Sequence, residues 1–278
     1  MVRSMGDLVR PGSYRLHSRF SHAINFIDGN ALIAVVDGSV GAGPVNIVAA
    51  DLAEWEFVDL EIGNGGIRAA GQELPLRDAP IYDSSLRVPD AVDPFLLKAN
   101  LATLRNHLTR TATADSLAFL LGENPVAPLT RDFDNALRLR YVEAAELVKQ
   151  GRTGEAVARV KGLGRGLTPS GDDFVAGLLF ALHLRGRMFG EPVRQQVEGI
   201  LVAAQSGNPF SRALLDCAAQ GRAFERLKHL VASLFAADTG LIEACAKRLA
   251  AVGATSGADI ATGLVFGLAQ RGAKHGRT

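Results

Sequence analysis

Residues 162–174 read Gly-Leu-Gly-Arg-Gly-Leu-Thr-Pro-Ser-Gly-Asp-Asp-Phe. Three alternate glycines, two hydroxyl-bearing residues and two adjacent carboxylates lead directly into an apolar stretch with helical spacing. The pattern predicts a helix from about Gly171 to about Arg187, preceded by a loop. Because backbone N–H groups at a helix start hold anions, this loop is predicted to bind an anion, with Asp172 and Asp173 free for a metal ion, a proton or a helix cap.

The same polar residues also suit an ordinary helix N-terminus. Ser170 with Asp173 approximates a capping box, and Thr168 before Pro169 is a second candidate for the N-cap and first turn. Capping does not explain three alternate glycines, since each glycine costs conformational entropy unless a positive φ or a close approach requires it. Both interpretations stay open, and the glycines favour a ligand site.

A second copy of the motif lies at residues 253–268. The correspondence runs position by position, with one residue deleted at Pro169, and pairs Thr168 with Thr255, Ser170 with Ser256, Gly171 with Gly257, Asp173 with Asp259 and Gly177 with Gly263. The two glycines at equal depth allow the helices to pack closely with their N-termini side by side. Paired N-termini would hold an anion more strongly than one.

One acid distinguishes the two copies. Ala258 stands where the first copy has Asp172. If both motifs form one site, Asp172 is the acid specific to its chemistry, while Asp173 and Asp259 are predicted to be caps.

A third loop, residues 206–212, meets another helix start. Ser211 as an N-cap is the plain interpretation. Alternatively, Ser211 and Arg212 complete the anion site, with the guanidinium making a bidentate contact that backbone groups cannot make.

These motifs define the candidate site. The candidate catalytic residues are Asp172 and Asp173. The residues predicted to bind a substrate or other anion are the glycines, hydroxyls and charged groups of the three loops: Gly162, Gly164, Arg165, Gly166, Thr168, Ser170, Gly171, Ser211, Arg212, Ser256, Gly257 and Asp259. The sequence does not identify a cofactor; Mg²⁺ is the candidate, with Asp172 as its ligand if a metal is bound.

Composition excludes several classes of protein. A formal net charge of +1 over 278 residues argues against a nucleic-acid-binding protein. The absence of a membrane-length apolar run and of a leader pattern predicts a cytoplasmic protein with no membrane partner. Cys217 and Cys245 lie in helical patterns and are predicted to be buried free thiols.

The chain changes character near residues 84–93. Before that point, short strands are predicted at Tyr14 to Ile27, Ala31 to Val36, Val45 to Ala50, Glu56 to Ile62 and around Ile67. Aromatic and branched residues are predicted to form the core of this part: Phe20, Ile24, Phe26, Trp55, Phe57 and Leu60.

From Pro94 onward the hydrophobic period is helical. Helices are predicted at Pro94 to about Thr109, about Thr113 to Leu121, Phe133 to Gln150, Gly154 to about Val160, Gly171 to about Arg187, Glu191 to Ala204, Ser211 to Ala219, Ala223 to Phe235, Thr239 to Ala251 and Ser256 to Gln270. The predicted fold class is α+β, with a small N-terminal β-barrel or sandwich at residues 1–88 and an all-helical domain at residues 89–278 that carries the glycine-rich motif.

The run from Gly162 to Gly177, together with Thr-Ser-Gly-Ala-Asp at 255–259, resembles the signature of a bacterial family long known only as a domain of unknown function. The stretch from His17-Ser18-Arg19-Phe20 through Asn25 and on to Gly43-Pro44 is similar to that family too. Its members include the AllH-type subunit of oxamate carbamoyltransferase, which works beside an FdrA-like subunit and a third partner in anaerobic allantoin breakdown.

The resemblance implies a hetero-oligomeric transferase that moves a carbamoyl group between carbamoyl phosphate and oxamate, giving oxalurate and phosphate in the direction opposite to catabolism. It implies N–H donors around a phosphate and a cationic or N–H partner for the oxamate carboxylate. Arg165, the paired helix starts and Arg212 are suited to these contacts, with Asp172 as a proton acceptor or metal ligand.

Two other functions are compatible with the sequence. The chain could bind a phosphate-bearing metabolite or nucleotide without catalysis, or it could be a structural subunit whose loops only cap helices. In either case the FdrA-like partner would carry the chemistry.

Overall fold

The computed structural model describes residues 1–29, 31–53, 55–63, 66–69, 72–74, 79–122 and 132–270. The chain divides into two compact units. One contains Met1–Ser85 together with Arg222–Lys228, and the other contains Leu86–Gly221 and the chain from His229 onward.

The first unit is built on a single mixed sheet. Its nine strands within the described residues are β1 (Val2–Gly6), β2 (Gly12–Arg19), β3 (Ala23–Asp28), β4 (Ala31–Val36), β5 (Asn46–Ala49), β6 (Asp59–Gly63), β7 (Gly66–Ala69), β8 (Gln72–Leu74) and β9 (Ile81–Tyr82). The strand order is β8-β7-β6-β2-β3-β4-β5-β1-β9. The β4–β5 and β1–β9 pairs are parallel, and the other pairs are antiparallel.

The α+β class is confirmed, but the barrel or sandwich predicted for the first unit is only approximated. The strands form one open, curled sheet that makes roughly a half-barrel. The predicted strand from Tyr14 to Ile27 is two strands, β2 and β3, joined where the Phe20 N–H donates to the Ala23 carbonyl oxygen (2.8 Å). This turn contains neither glycine nor proline, so it lacked the usual sequence signal.

The core of the sheet follows the alternation of its strands. Ile24, Phe26, Trp55 and Leu60 are buried as predicted, and Phe57 packs partly buried against them. Phe20 was wrongly placed in this core, because it lies in the β2–β3 turn and is 51% exposed.

A short segment from late in the sequence completes the first unit. The Ala223 N–H donates to the Ser84 carbonyl oxygen (2.8 Å), and the Tyr82 hydroxyl donates to the Ala223 carbonyl oxygen (3.0 Å). Arg222 forms an ion pair with Asp7 (3.0 Å). These contacts join residues far apart in sequence, which no local pattern could predict.

The second unit is helical. Its α-helices are α1 (Pro94–Thr111), α2 (Asp132–Lys149), α3 (Thr153–Val160), α4 (Ser170–Phe189), α5 (Arg194–Ala203), α6 (Pro209–Ala219), α8 (Thr239–Ala250) and α9 (Ser256–Ala269), while α7 (Glu225–Ser233) begins in the other unit. The stretch predicted as a helix from about Thr113 is a 3₁₀ helix over Leu117–Leu121. Cys217 and Cys245 are buried, and neither forms a disulfide, as predicted.

Helices α4 and α9 form the centre of this unit. Most residues of both are buried, which is the pattern of a helix surrounded by others. The two pack as predicted through Gly177 and Gly263: a Cβ at Gly177 would lie 2.2 Å from the Ile260 carbonyl oxygen, and one at Gly263 would lie 2.0 Å from that of Phe174. The helices therefore run parallel with their backbones touching.

None of the helices in the described part of the chain has the length and apolar character needed to cross a membrane.

We predict that Gly177→Ala destabilises the protein by roughly 1–3 kcal/mol or more, because the added methyl group would overlap main-chain atoms that cannot turn aside. Urea unfolding of the full chain measures the effect. Gly199→Ala is the matched control: this glycine lies in α5, and an alanine Cβ there would meet no described atom within 4 Å, so alanine should raise helix stability by up to about 1 kcal/mol. Equal effects of the two substitutions would contradict the close contact.

Candidate functional site

The glycine-rich loop before α4 has the backbone that its glycines suggested. Gly162, Gly164 and Gly166 have φ values of 69°, 124° and 95°, a region that other residues rarely adopt. Gly164 also allows a close approach, since a Cβ there would lie 2.5 Å from the Ser170 nitrogen. The alternate glycines thus permit a compact loop folded against the helix start.

The sequence repeat is also a structural repeat, because each motif joins two helices in a helical hairpin: α3 and α4 for the first motif, and α8 and α9 for the second. The Gly171 N–H donates to the Leu163 carbonyl oxygen (2.8 Å), and the Gly257 N–H donates to that of Val252 (3.1 Å). A Cβ at either glycine would lie 1.8 Å from a carbonyl oxygen at the end of the preceding helix. The α3–α4 hairpin is therefore repeated by α8–α9.

The first hairpin has the longer loop. Residues 164–170 separate Leu163 from Gly171, whereas residues 253–256 separate Val252 from Gly257, so the first loop is three residues longer than the second (seven against four). By the correspondence of the two motifs, the three additional residues are Gly164, Arg165 and Pro169.

Four hydroxyl groups meet where the two helices begin. The Thr168 and Ser256 hydroxyl oxygens lie 3.4 Å apart, and so do those of Ser170 and Thr255. Each pair joins a threonine of one motif to a serine of the other, which gives the arrangement an approximate two-fold symmetry. All four residues are partly exposed. The structure thus brings together the two motifs that the repeat predicted to be neighbours.

These residues do not cap their helices in the predicted way. Pro169 occupies the N-cap position of α4, and Thr255 occupies that of α9, with no side-chain capping bond at either. The predicted Ser170–Asp173 capping box and the capping roles of Asp173 and Asp259 are therefore wrong. The Asp172 and Asp173 N–H groups donate instead to the Pro169 carbonyl oxygen (2.8 and 3.0 Å).

Asp172 is buried and both of its carboxylate oxygens are engaged. Its Oδ1 accepts from the Gly162 N–H (2.7 Å), and its Oδ2 accepts from the Ser211 hydroxyl (2.5 Å). The first bond closes the glycine-rich loop onto α4, and the second ties α4 to α6. This donor set, supplied by the protein, does not fit a Mg²⁺ ion at Asp172.

Asp173 is the acid without such partners. It is 1% exposed, and neither carboxylate oxygen has a hydrogen bond of normal geometry among the described residues. Burial raises the pKa of Asp173 to about 7, and the nearby Asp259 adds to the rise, while the adjacent Ser256 and Thr168 hydroxyls oppose it. An acid with this pKa can exchange a proton near neutral pH.

Asp259 occupies the equivalent place in the second motif. Burial raises its pKa to about 6, against the opposing effects of the Leu117 N–H and the Ser170 and Thr255 hydroxyls. Its Oδ1 accepts from the Leu117 N–H (2.6 Å), while Oδ2 has no partner among the described residues. Asp259 thus anchors the 3₁₀ helix and leaves one oxygen open.

Tyr141 of α2 closes the site on another side. Its hydroxyl donates to the Leu163 carbonyl oxygen (2.7 Å). Burial and then the charges of Asp259, Asp172 and Asp173 raise the pKa of Tyr141. The phenol is therefore a neutral group beside the acids. Sequence reasoning missed it, because a tyrosine in an ordinary helical pattern carries no signal.

The third loop also reaches the glycine-rich loop. The Asn208 side chain donates to the Leu167 carbonyl oxygen (2.7 Å) and accepts from the Phe210 and Ser211 N–H groups. Asn208 rather than Ser211 is therefore the N-cap of α6, so the N-cap predicted at Ser211 is wrong; an asparagine directly before Pro209 was the sequence signal for the correct position. Ser211 is buried against Asp172, and Arg212 donates to the Ser206 carbonyl oxygen within its own loop (3.4 Å).

Not all of the N–H groups predicted to bind an anion are available for a ligand. The Gly162, Gly171 and Gly257 N–H groups are all engaged by oxygens of the protein itself. Arg165 is exposed on the glycine-rich loop and makes no hydrogen bond or ion pair with the described residues. Among these residues, no group of three or more His, Cys, Asp or Glu side chains is arranged to hold a metal ion.

Comparison with known families places this site in a specific context. Residues 160–268 match the model of a family described as oxamate carbamoyltransferase subunit AllH, so the resemblance inferred from the motifs is confirmed. The matched residues include both motifs and the third loop, while the resemblance proposed for the β-rich start lies outside them. No solved structure matches the chain.

The raised pKa values predict that stability depends on pH. An unfolded carboxyl has a pKa of about 3.9, so the folded protein holds protons on Asp173 and Asp259 that the unfolded chain releases. This stabilisation is complete below about pH 4 and is lost as pH rises through about 6 and 7, at up to roughly 1.4 kcal/mol per pH unit for each proton.

Asp173→Asn should remove the part of the pH dependence of stability that is due to Asp173. Urea unfolding between pH 4.5 and 8 should show the variant gaining stability relative to the wild type as pH rises. Asp115→Asn, at an exposed carboxylate of the same unit, controls for the loss of a charge elsewhere. A pH-independent difference between Asp173→Asn and the wild type would contradict the prediction.

Ser211→Ala should destabilise the protein by about 1–3 kcal/mol, because it leaves Asp172 Oδ2 buried without a donor. Thermal or urea unfolding measures the loss. Thr109→Ala removes a hydroxyl from an exposed part of α1 and should change stability by less than about 0.5 kcal/mol. A Ser211→Ala effect as small as that would show that the bond to Asp172 contributes little.

Proposed function

We propose that this protein is a subunit of a carbamoyltransferase of the oxamate type, which transfers a carbamoyl group between carbamoyl phosphate and oxamate in purine or allantoin nitrogen catabolism. The family match over residues 160–268 supports this assignment, because both motifs lie within it. The description of that family as a subunit supports a partner chain, and an FdrA-like subunit is the partner we expect.

The observation that carries the proposal is the pair of buried acids, Asp173 and Asp259, that lie beside hydroxyl groups at the adjacent N-termini of α4 and α9. Both substrates have an anionic end, a phosphate or a carboxylate, and an uncharged –CO–NH₂ end. The centre of the site holds the buried acids Asp172, Asp173 and Asp259, which would repel an anion. We therefore place the anionic ends at the rim and the –CO–NH₂ ends toward the acids.

The rim has suitable groups for an anion. Arg165 is exposed on the glycine-rich loop and has no hydrogen bond or ion pair among the described residues, and a guanidinium binds phosphate or carboxylate through paired hydrogen bonds. Arg212 lies on the adjoining third loop, although it already donates to Ser206.

Carbamoyl transfer by the reconstituted complex tests the proposal. The full chain, mixed with an FdrA-like partner, should form oxalurate and phosphate from oxamate and carbamoyl phosphate. Arg165→Ala should raise the KM for carbamoyl phosphate about tenfold or more, because it removes a charge-assisted hydrogen bond. Arg194→Ala removes an exposed arginine from α5 and should leave the KM unchanged.

The possible outcomes separate the candidate functions. If no mixture catalyses transfer, the carbamoyltransferase assignment fails. Thermal stabilisation by carbamoyl phosphate without transfer would instead indicate a non-catalytic binding module. If transfer occurs but Arg165→Ala has no effect, the anion site lies elsewhere.

A further inference from the structure

Asp173 and Asp259, the acid pair, have equivalent hydroxyl neighbours. The Thr168 and Ser256 hydroxyls lie beside Asp173, and the Thr255 and Ser170 hydroxyls lie beside Asp259. Each acid thus has beside it the threonine of its own motif and the serine of the other motif. We call these six residues the acid pocket.

Three of the four carboxylate oxygens in the acid pocket have no hydrogen bond of normal geometry within the described part of the chain, although hydroxyl groups lie beside them. Both oxygens of Asp173 and Oδ2 of Asp259 lack a hydrogen-bond partner among the described residues, although both residues are almost fully buried. None of the groups that shift the pKa of either acid is a cationic side chain: those acting on Asp173 are the acids Asp172 and Asp259 and the Ser256 and Thr168 hydroxyls, and Asp173 in turn raises the pKa of Tyr141. Buried acceptors without donors are costly, so the pocket suits a ligand that brings N–H groups.

The same arrangement restricts the class of ligand. A carboxylate or phosphate would meet like charges. A primary amide offers N–H donors that match the carboxylate oxygens and a carbonyl oxygen that can accept from the hydroxyls. Unlike an anion, it brings no negative charge into the pocket.

We propose that the acid pocket binds the primary amide group of the substrate, and that Asp173 accepts a proton from the amide nitrogen during transfer. This inference rests on the proposed function. Both carbamoyl phosphate and oxamate carry a –CO–NH₂ group, so both have the required donors.

The roles of the two acids differ because their hydrogen bonds differ. Asp259 is anchored by the Leu117 N–H and has one open oxygen, which can hold an N–H group. Asp173 has two open oxygens, one to hold the amide and one to take a proton. Its pKa of about 7 leaves much of it ionised at neutral pH and able to accept that proton.

The step balances as follows for synthesis of oxalurate. The oxamate nitrogen attacks the carbamoyl carbon, an N–C bond forms, and the bond from that carbon to the phosphate oxygen breaks. Phosphate leaves with the bonding electron pair, and the proton lost by the nitrogen passes to the Asp173 carboxylate.

A comparison of oxamate with oxalate tests the pocket without requiring turnover. The two differ in that oxalate has a second carboxylate in place of the amide. Calorimetric titration at pH 8 of the full chain, alone and with the FdrA-like partner, should show oxamate binding at least tenfold more tightly than oxalate. Equal affinities, tighter binding of oxalate, or no binding of either ligand in both mixtures would overturn the inference.

Two variants test which residues produce the preference for oxamate over oxalate. Asp173→Asn should weaken oxamate binding about tenfold and reduce the preference over oxalate, because an amide side chain loses the charge and one acceptor. Arg165→Ala should weaken both ligands alike, since both present a carboxylate to the rim. If Asp173→Asn retains the full wild-type preference, the pocket is not the amide site. If it fails to fold, the wild-type comparison still decides.

Binding and transfer can fail independently. A preference for oxamate without transfer in any mixture would preserve the amide pocket and remove the carbamoyltransferase assignment. Transfer with equal binding of oxamate and oxalate would preserve that assignment and overturn the pocket. In an active complex, we expect kcat to rise with pH near 7 as Asp173 ionises. Asp173→Asn should abolish this rise, an effect that a purely structural role would not produce.

Discussion

The close contact of α4 and α9 at Gly177 and Gly263 determines the geometry of the second unit. Each glycine occupies a place where a Cβ would overlap main-chain atoms of the opposite helix. Because the backbones touch at equal depth in both helices, the two N-termini lie side by side. The hydroxyls of the two motifs then meet across the contact, and Asp173 and Asp259 are buried near one another. A wider helix spacing would separate all of these groups.

Burial of these acids sets the electrostatics of the site. Helix N-termini carry roughly half a positive charge each, which partly offsets the carboxylates in the first turns of α4 and α9. This compensation is incomplete, and the pKa values of Asp173 and Asp259 are raised to about 7 and about 6. The positive N-terminal ends of α4 and α9 therefore interact with carboxylates of the protein itself. These acids would repel an external anion, whereas Arg165 is exposed on the glycine-rich loop.

The differences between the two hairpins are as informative as their likeness. The first hairpin has a longer loop, closed by the bond from the Gly162 N–H to Asp172, and the second has Ala258 at the position of that acid. Sequence comparison therefore marked Asp172 as the unusual acid. In the structure, Asp172 is held by Gly162 and Ser211, while Asp173 keeps two oxygens without partners among the described residues. The acid found only in the first motif, Asp172, has a structural role in closing the loop. The acid with open oxygens, Asp173, is the one that has a counterpart in the second motif.

Local patterns in the sequence determined the α+β class, most helices, the positive φ values of the loop glycines and the pairing of the two motifs. Each depends on spacing along the chain or on the special conformations of glycine. Tertiary structure alone decided the distant partners of the acids. The bonds from Ser211 to Asp172 and from Leu117 to Asp259 join residues 39 and 142 positions apart. Whether a carboxylate is satisfied or left open depends on which distant donors the fold brings to it, and no local pattern contains that information.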